Sequence, residues 1–394
     1  MYKPVSCLLV LLFCLFASVP DPTAYGQQSP FPVTAGLEDA IQFWKQIFTR
    51  YSSSQVVLFD PLDPSKIYTV MRAPDGEQGQ TLVEKERARV AADYDLADGE
   101  SRIRSQRGAK EQFLEGLKVS GRYLAQMRQI FREEGVPVEL AYLPLVESSF
   151  NIRARSSVGA VGMWQFMPET GKKFMRVDTT VDERRDPMAS TRAAARLLRE
   201  NYRILGNWPL AITAYNHGTE GIFRGIKAVE SDDLVDLIRG YQSPTFGFAS
   251  KNFYAEFLAV VEIATNIDSY FPFLRPHRPV TLHEVAVKRQ TLLHAVLKPA
   301  EIAPSDFFEW NPALQPTAKV IPTGYRVKLP PHKIDAFVSA QERAGAAAPA
   351  AKTARGRGKS TKTTVKNRRS VTATAKPSTK VISRGKNRAA ASNL

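Results

Sequence analysis

The sequence predicts a mainly α protein that ends in a small α+β module and a disordered basic tail. Three observations carry this. Through the middle of the chain apolar residues recur at helical spacing, with short connections between the periodic runs. Residues 272–279 contain three prolines and separate that middle from a compact stretch with apolar clusters over residues 292–297 and 307–310. From about Ala346 the composition turns to Ala, Lys, Thr, Arg and Ser, with too little apolar surface to offset the entropy of ordering.

These shifts divide the 394 residues into a signal segment 1–26, an N-terminal α/β extension 27–110, a helical domain 111–271, a module 272–340 and a tail 341–394. The first segment has Lys3, a mainly apolar run over residues 5–19, and small residues at Ala24 and Gly26 where a signal peptidase reads. A run of about 15 residues is short of the ~20 that a membrane span needs, so no transmembrane helix is expected in the mature chain. The two cysteines, Cys7 and Cys14, both fall inside the signal. Phe13 is too bulky for lipoprotein cleavage before Cys14, and Cys7 sits too early, which argues against a lipid anchor. Signal removal excludes disulfides, thiol catalysis and thiolate zinc sites, although the implied compartment, periplasm or cell envelope, is oxidising.

Element by element, Leu37, Ile41, Trp44, Ile47 and Phe48 predict a helix over residues 36–50. Residues 55–59 and 67–70 read as strands around the turn Asp60-Pro61-Leu62-Asp63-Pro64. Alternating charge over residues 84–110 predicts an exposed helix, followed by a stretch with Leu114, Leu117, Leu124, Met127 and Phe131 on one face. Gly135 is a helix stop and Pro137 opens the next helix, which ends at Glu147-Ser148-Ser149. Further helices are expected over residues 191–205 and 209–215, and a last one over 253–266.

Glu147 stands at the end of the apolar run Leu140-Ala141-Tyr142-Leu143-Pro144-Leu145-Val146. Apolar walls desolvate a carboxylate, raise its pKa and let it hold a proton near neutral pH, as a general acid must. Alone, such a residue more often caps a helix end or pairs with an arginine. Its company changes the balance: Ser156, Gly159, Gly162-Met163-Trp164-Gln165-Phe166-Met167-Pro168, Thr170-Gly171 and Ala214-Tyr215-Asn216-His217-Gly218 follow in order.

These motifs resemble the soluble lytic transglycosylase domain of the lysozyme superfamily. With Asp182-Glu183-Arg184-Arg185-Asp186-Pro187 the arrangement is most similar to the membrane-bound lytic murein transglycosylase D type, over about residues 135–266. The resemblance implies a lysozyme-like fold for residues 111–271, with Glu147 catalytic and Ser148 beside it in the family's Glu-Ser position. Gln165 takes the polar end of a Gly-Leu-Met-Gln motif, Tyr215 and Asn216 an Ala-Tyr-Asn motif, and Ser156 the serine before the glycine-rich loop. Met163, Trp164 and Phe166 join the substrate-binding set, where Trp164, Phe166 and Tyr215 offer flat faces to sugars, although Met163, Trp164 and Phe166 also read as core. Gln165 and Asn216 can bond hydroxyl and acetamido groups.

No second acid occupies an obvious family position, and Asp182, Glu183 and Asp186 look structural, so a one-carboxylate mechanism is implied in place of the usual pair. Glu147 would protonate the bond after N-acetylmuramic acid and then deprotonate the 6-hydroxyl, giving a 1,6-anhydromuramyl end. No cofactor is called for, and no histidine clusters with His217 to suggest a metal. In one departure, the family's tyrosine on the last helix aligns with Phe253, and Tyr254 enters the binding set only through a local shift.

Asn311-Pro312, Ile321-Pro322-Thr323-Gly324 and Val327-Lys328-Leu329-Pro330 resemble the closing half of a lysin motif, a βααβ glycan-binding module, against an unrelated small α+β domain. Seven Lys and seven Arg against Glu342 give residues 341–394 a net +13 of the chain's +15. Such a tail suits a solvated extension, anionic envelope polymers or lipid head groups, with nucleic acid last given the signal. The implied partner is peptidoglycan glycan strands. The rivals to a transglycosylase are a non-catalytic peptidoglycan-binding or scaffold protein and a hydrolytic muramidase.

Overall fold

A computed structural model describes residues 29–96 and 99–346. The expected signal and the tail from residue 347 lie outside the described residues. Helix α1 (Glu38–Thr49) buries Ile41, Phe43, Trp44, Ile47 and Phe48 on one face. Strands β1 (Gln55–Asp60) and β2 (Asp63–Arg72) pair antiparallel around the expected turn, with Gln55 opposite Arg72. The helix expected over residues 84–110 is found only in part. Helix α2 (Glu77–Asp93) stops early, and β3 (Arg104–Arg107) pairs with the free edge of β1, giving the order β2-β1-β3. Arg104-Ser105-Gln106-Arg107 has no local strand signal; its pairing is dictated by the edge that Val56 to Phe59 would otherwise leave open.

The helical unit follows as α3 (Lys110–Ser120), α4 (Leu124–Glu133), a 3-10 turn (Val138–Tyr142), α5 (Leu143–Ser148), α6 (Pro168–Phe174), α7 (Pro187–Leu205) and α8 (Trp208–His217). It continues through α9 (Thr219–Val229), α10 (Leu234–Gly240), α11 (Phe248–Thr265) and α12 (Ile267–Tyr270), so the expected mainly α class holds. Asp186 caps α7 by accepting from Met188 N and Ala189 N, with Pro187 in the first turn. Helices α9 and α10 were not legible: α9 buries only Gly221, Ile222 and Gly225, and α10 is seven residues long. Helix α11 begins at Phe248 rather than 253, because Ser250 and Asn252 are buried through hydrogen bonds instead of apolar contact. Ser250 donates to Asn216 Oδ1 (2.8 Å), and Asn252 accepts from Trp44 Nε1 (2.9 Å).

One apolar core runs from Phe31 and α1 through α3, α5, α8 and α11 to Leu274. The N-terminal segment is therefore part of the wall around α11: Phe31 packs edge-on against Phe257 at 5.0 Å.

The C-terminal unit contains β4 (His283–Ala286), β5 (Thr291–Leu292), α13 (Leu293–Leu297), α14 (Pro304–Trp310), β6 (Val320–Ile321), β7 (Arg326–Leu329) and α15 (Ile334–Ala346). Strand β4 pairs antiparallel with β7 across the two helices, and β5 with β6. Helix α15 carries ordered chain to Ala346, beyond the boundary drawn at residue 340 and up to the change in composition. Val181 of the helical unit enters the core of this module. Asp182 N donates to Ala313 O (2.7 Å), Gln315 N to Thr180 O (3.1 Å), and Lys328 pairs with the buried Asp186.

Arg184 ties the same corner to the glycine-rich loop. Its guanidinium binds Asp182 through Nε (2.9 Å) and Nη2 (2.8 Å), while Nη1 donates to Gly159 O (3.1 Å) and Phe166 O (3.0 Å). Gly162 meets this corner with φ +80° and no room for a side chain, since a Cβ would lie 1.9 Å from Arg184 O. Replacing Arg184 by Met leaves Asp182 buried and uncompensated, and is expected to cost about 3–5 kcal/mol in chemical denaturation. A loss below about 1 kcal/mol would show that the loop does not depend on this pair.

Candidate active site

Glu147 is the penultimate residue of α5, whose preceding residues Leu143, Leu145 and Val146 are fully buried. The chain then reverses sharply, with Ser149 at φ 50° and Phe150 at φ 58°, both in the left-handed region. The reversal is closed by Phe150 N donating to Pro144 O (3.0 Å). Gly116 of α3 lets this turn approach, because a Cβ there would sit 2.9 Å from Ser149 O. Ser148 Oγ donates to Met163 O (2.8 Å) and fastens the end of α5 to the glycine-rich loop.

The Glu147 side chain keeps partial contact with solvent but is surrounded by dense protein, and no cation or hydrogen-bond donor among the described residues offsets its desolvation. Burial pushes its carboxyl up to about 8. Tyr215 of α8 lies within its field, so burial and the charge of Glu147 raise the phenol well above its usual range. The Tyr215 hydroxyl donates to Trp164 O (2.8 Å), and its ring stacks parallel to Phe253 at 6.5 Å.

The loop preceding α6 turns at Ser156, which accepts from Ala160 N through Oγ (2.9 Å). Gln165 is left-handed at φ 47° and donates from Nε2 to Gly162 O (2.7 Å), leaving its amide oxygen available. Asn216 accepts from Ser250 through Oδ1, leaving its amino group available.

Residues 128–234 match the family described as the Transglycosylase SLT domain. This segment is an SLT domain. Among similar proteins, the Membrane-bound lytic murein transglycosylase D of Escherichia coli (strain K12) is 34% identical over 141 residues, 35% of this chain and 30% of that protein. A putative tributyltin chloride resistance protein of Alteromonas sp. is 35% identical over 111 residues, 28% of this chain and 54% of the relative. The chain thus spans only about a third to a half of these relatives' lengths. Among solved structures, the lytic transglycosylase Slt inactive mutant from Pseudomonas aeruginosa is 22% identical, covering 38% of this chain and 25% of that one with a TM-score of 0.31.

Within the SLT domain Glu147 of α5 and Tyr215 of α8 come near each other, Asn216 follows Tyr215 on α8 and Gln165 stands in the loop before α6, while Ser148 and Ser156 shape that loop. The expectation of sugar platforms at Trp164 and Phe166, and of a contact at Met163, is overturned: all three are buried in the core. Trp164 is fully enclosed and spends its Nε1 on Thr191 Oγ1 (2.9 Å). Gln165, set between Trp164 and Phe166 in the left-handed region, is half-buried with its amide folded back onto Gly162 O.

Tyr254 is likewise corrected. It is buried and donates its hydroxyl to Pro32 O (2.9 Å), on the side of α11 that faces the N-terminal segment. Phe253 holds the position beside Tyr215, so no hydroxyl is supplied there. Sequence reasoning missed Glu256, a carboxyl that burial and the charge of Glu147 push up to about 8. It lies outside residues 128–234, in the apolar run Phe253-Tyr254-Ala255-Glu256-Phe257-Leu258, the kind of setting that singles out Glu147.

A cavity of about 910 Å³ between the SLT domain and the C-terminal module is lined by Ser148, Ser149, Tyr123, Trp310 and Lys328, but Glu147 does not line it. Among the described residues no group of three or more His, Cys, Asp or Glu could hold a metal ion, and no helix is long and apolar enough to cross a membrane.

Raised folded-state pKa values make stability fall as pH rises. Below the carboxyl's ordinary 4.5 both folded and unfolded chains hold the proton; between there and about 8 only the folded chain does, and the stability conferred is lost through that window. Glu147→Gln removes this loss. Its thermal stability should exceed the wild type's by a margin that widens from acid to mildly alkaline pH, reaching about 1–3 kcal/mol after allowance for the residue's solvent contact. A pH-independent offset between the two unfolding series would contradict the assignment.

Proposed function

We propose that this chain is a lytic transglycosylase of the cell envelope that cleaves peptidoglycan between N-acetylmuramic acid and N-acetylglucosamine. The observation that carries the reading is one desolvated carboxyl, Glu147, placed at the end of α5 within an SLT domain and beside Tyr215. Protonated at neutral pH, Glu147 donates to the glycosidic oxygen as the bond to C1 breaks. The substrate's acetamido oxygen stabilises the positive C1, and the amide groups left available on Gln165 and Asn216 hold polar groups of the sugars, a role their unused hydrogen-bonding atoms support. The Glu147 carboxylate then takes the proton of the muramyl 6-hydroxyl, whose oxygen closes on C1. The product is a 1,6-anhydromuramyl end, no water is consumed, and Glu147 returns to its acid form.

The C-terminal order β4-β5-α13-α14-β6-β7, with β4 and β7 paired around the two helices, supports the lysin-motif reading of residues 272–340 as a glycan tether. The signal segment supports export to the periplasm or envelope, and the tail's charge supports contact with anionic envelope polymers.

Purified sacculi digested with wild type and Glu147→Gln provide the test. The variant should be at least as thermally stable as the wild type and lose about 10²–10⁴-fold in turnover. Wild-type fragments should carry anhydro ends by mass; water-added reducing ends would replace this reading by a hydrolytic muramidase. Phe253, which brings no hydroxyl to Tyr215, favours a second reading as a non-catalytic peptidoglycan-binding protein. Wall binding with no fragment released by the wild type would establish that alternative.

The tail's contribution separates from catalysis. Removing residues 347–394 should leave the cleavage rate on soluble glycan fragments within about twofold while weakening salt-sensitive binding to anionic polymer. Loss of cleavage on truncation would place the tail in the active unit.

A further inference from the structure

Glu256 lies on α11 with 2% of its surface exposed, a site where an ionised carboxylate is strongly disfavoured unless a cation or several donors compensate it. No hydrogen bond or ion pair to another described residue does so; the electrostatic influence on it besides burial is Glu147. An apolar side chain of similar volume would remove the whole penalty, so the acid is a feature that packing alone does not explain.

Helix geometry places the group. Residues three apart on a helix share a face, and Phe253, one turn before Glu256, stacks on Tyr215. Tyr215 in turn stands in the field of Glu147, and α11 packs directly on α5. Glu256 therefore belongs to the wall behind the acid.

The other titratable groups brought to α11 by its neighbours are engaged elsewhere. Lys45 of α1 and Tyr270 of α12 both bind Glu262. Tyr142 of the 3-10 turn accepts from Arg128 and feels Glu139, and His217 of α8 faces Ser250. Beside the two carboxyls that leaves Tyr215, which is no counter-charge.

We propose that Glu256 is a positioning residue for the acid: with Glu147, on the adjoining helices α11 and α5, it forms a coupled carboxyl pair that gives up its two protons in succession and not independently. The proposal rests on the reading of Glu147 as the acid. Once one member has ionised, its charge opposes departure of the second proton, so Glu147 retains acid character to higher pH than it would alone. Glu256 does not touch substrate; it acts through Glu147.

The decisive measurement is a carboxyl-carbon NMR titration of Glu147 in the full-length protein, wild type against Glu256→Gln, with Glu147→Gln identifying the signal. The wild type should titrate in two steps. In Glu256→Gln, Glu147 should titrate in one step, with its alkaline limb about one pH unit lower. Identical Glu147 curves in the two proteins overturn the proposal. This readout uses no substrate, so it stands apart from the proposed activity: absence of glycan cleavage would defeat the transglycosylase reading and leave the pair to be judged by NMR. With sacculi as substrate, the alkaline limb of kcat/KM should move down by the same amount while KM at acidic pH is unchanged. Glu256→Asp keeps an acid and should restore most of the limb; a purely structural role would lower Tm in both variants and leave the limb in place. If Glu256→Gln does not fold, Glu256→Met removes the charge at similar volume and is read by the same criteria.

Discussion

A carboxyl group held away from water without a cation must stay neutral or destabilise the fold around it, and the centre of this protein is built under that constraint. Glu147 stands at the end of a helix with an apolar body, and its neighbours supply rings and backbone instead of counter-charge. Everything that aims it is local and rigid. The paired left-handed residues Ser149 and Phe150 turn the chain away, Ser148 pins the turn to Met163, and Gly116 lets α3 come close enough to hold it. The cationic side chains are kept for scaffolding: Arg184 for Asp182 and the loop carbonyls, Lys328 for Asp186.

The elements that could be read from the sequence were those with their own periodicity or caps. Helix α1, the helix that follows Asp186-Pro187, and the helix closed by Gly135 carry apolar stripes and terminal signals within their own residues. Strand β3 does not, because its conformation follows from the edge of β1, 51 residues away between the paired Val56 and Arg107. Helices α9 and α10 are short or glycine-bearing and leave too faint a pattern.

The candidate site divides along the same line. Glu147, Gln165, Tyr215 and Asn216 stand in compact motifs, and the fold brings Tyr215 into the field of Glu147. What motifs do not specify is which way a residue turns: Trp164 and Gln165 are adjacent, yet one is sealed in the core and the other keeps contact with solvent. Tyr254 and Phe253 present the same problem on a helix, where neighbouring residues point about 100° apart. Glu256 was hidden for a different reason. It carries the same sign as Glu147, an acid inside an apolar helical run, but it stands in none of the motifs and beyond residues 128–234.

Trp44 donates across the core to Asn252, Phe31 leans on Phe257, and Pro32 receives the hydroxyl of Tyr254. Residues well before the helical region thus upholster the back of α11, the helix whose front lies against α5. The consequence is one of excision: a fragment trimmed to the helical region at residue 110 would uncover Phe257 and Trp208 and remove partners of Asn252, Tyr254 and Glu262, so an excised fragment has to begin near Phe31 to keep this helix covered.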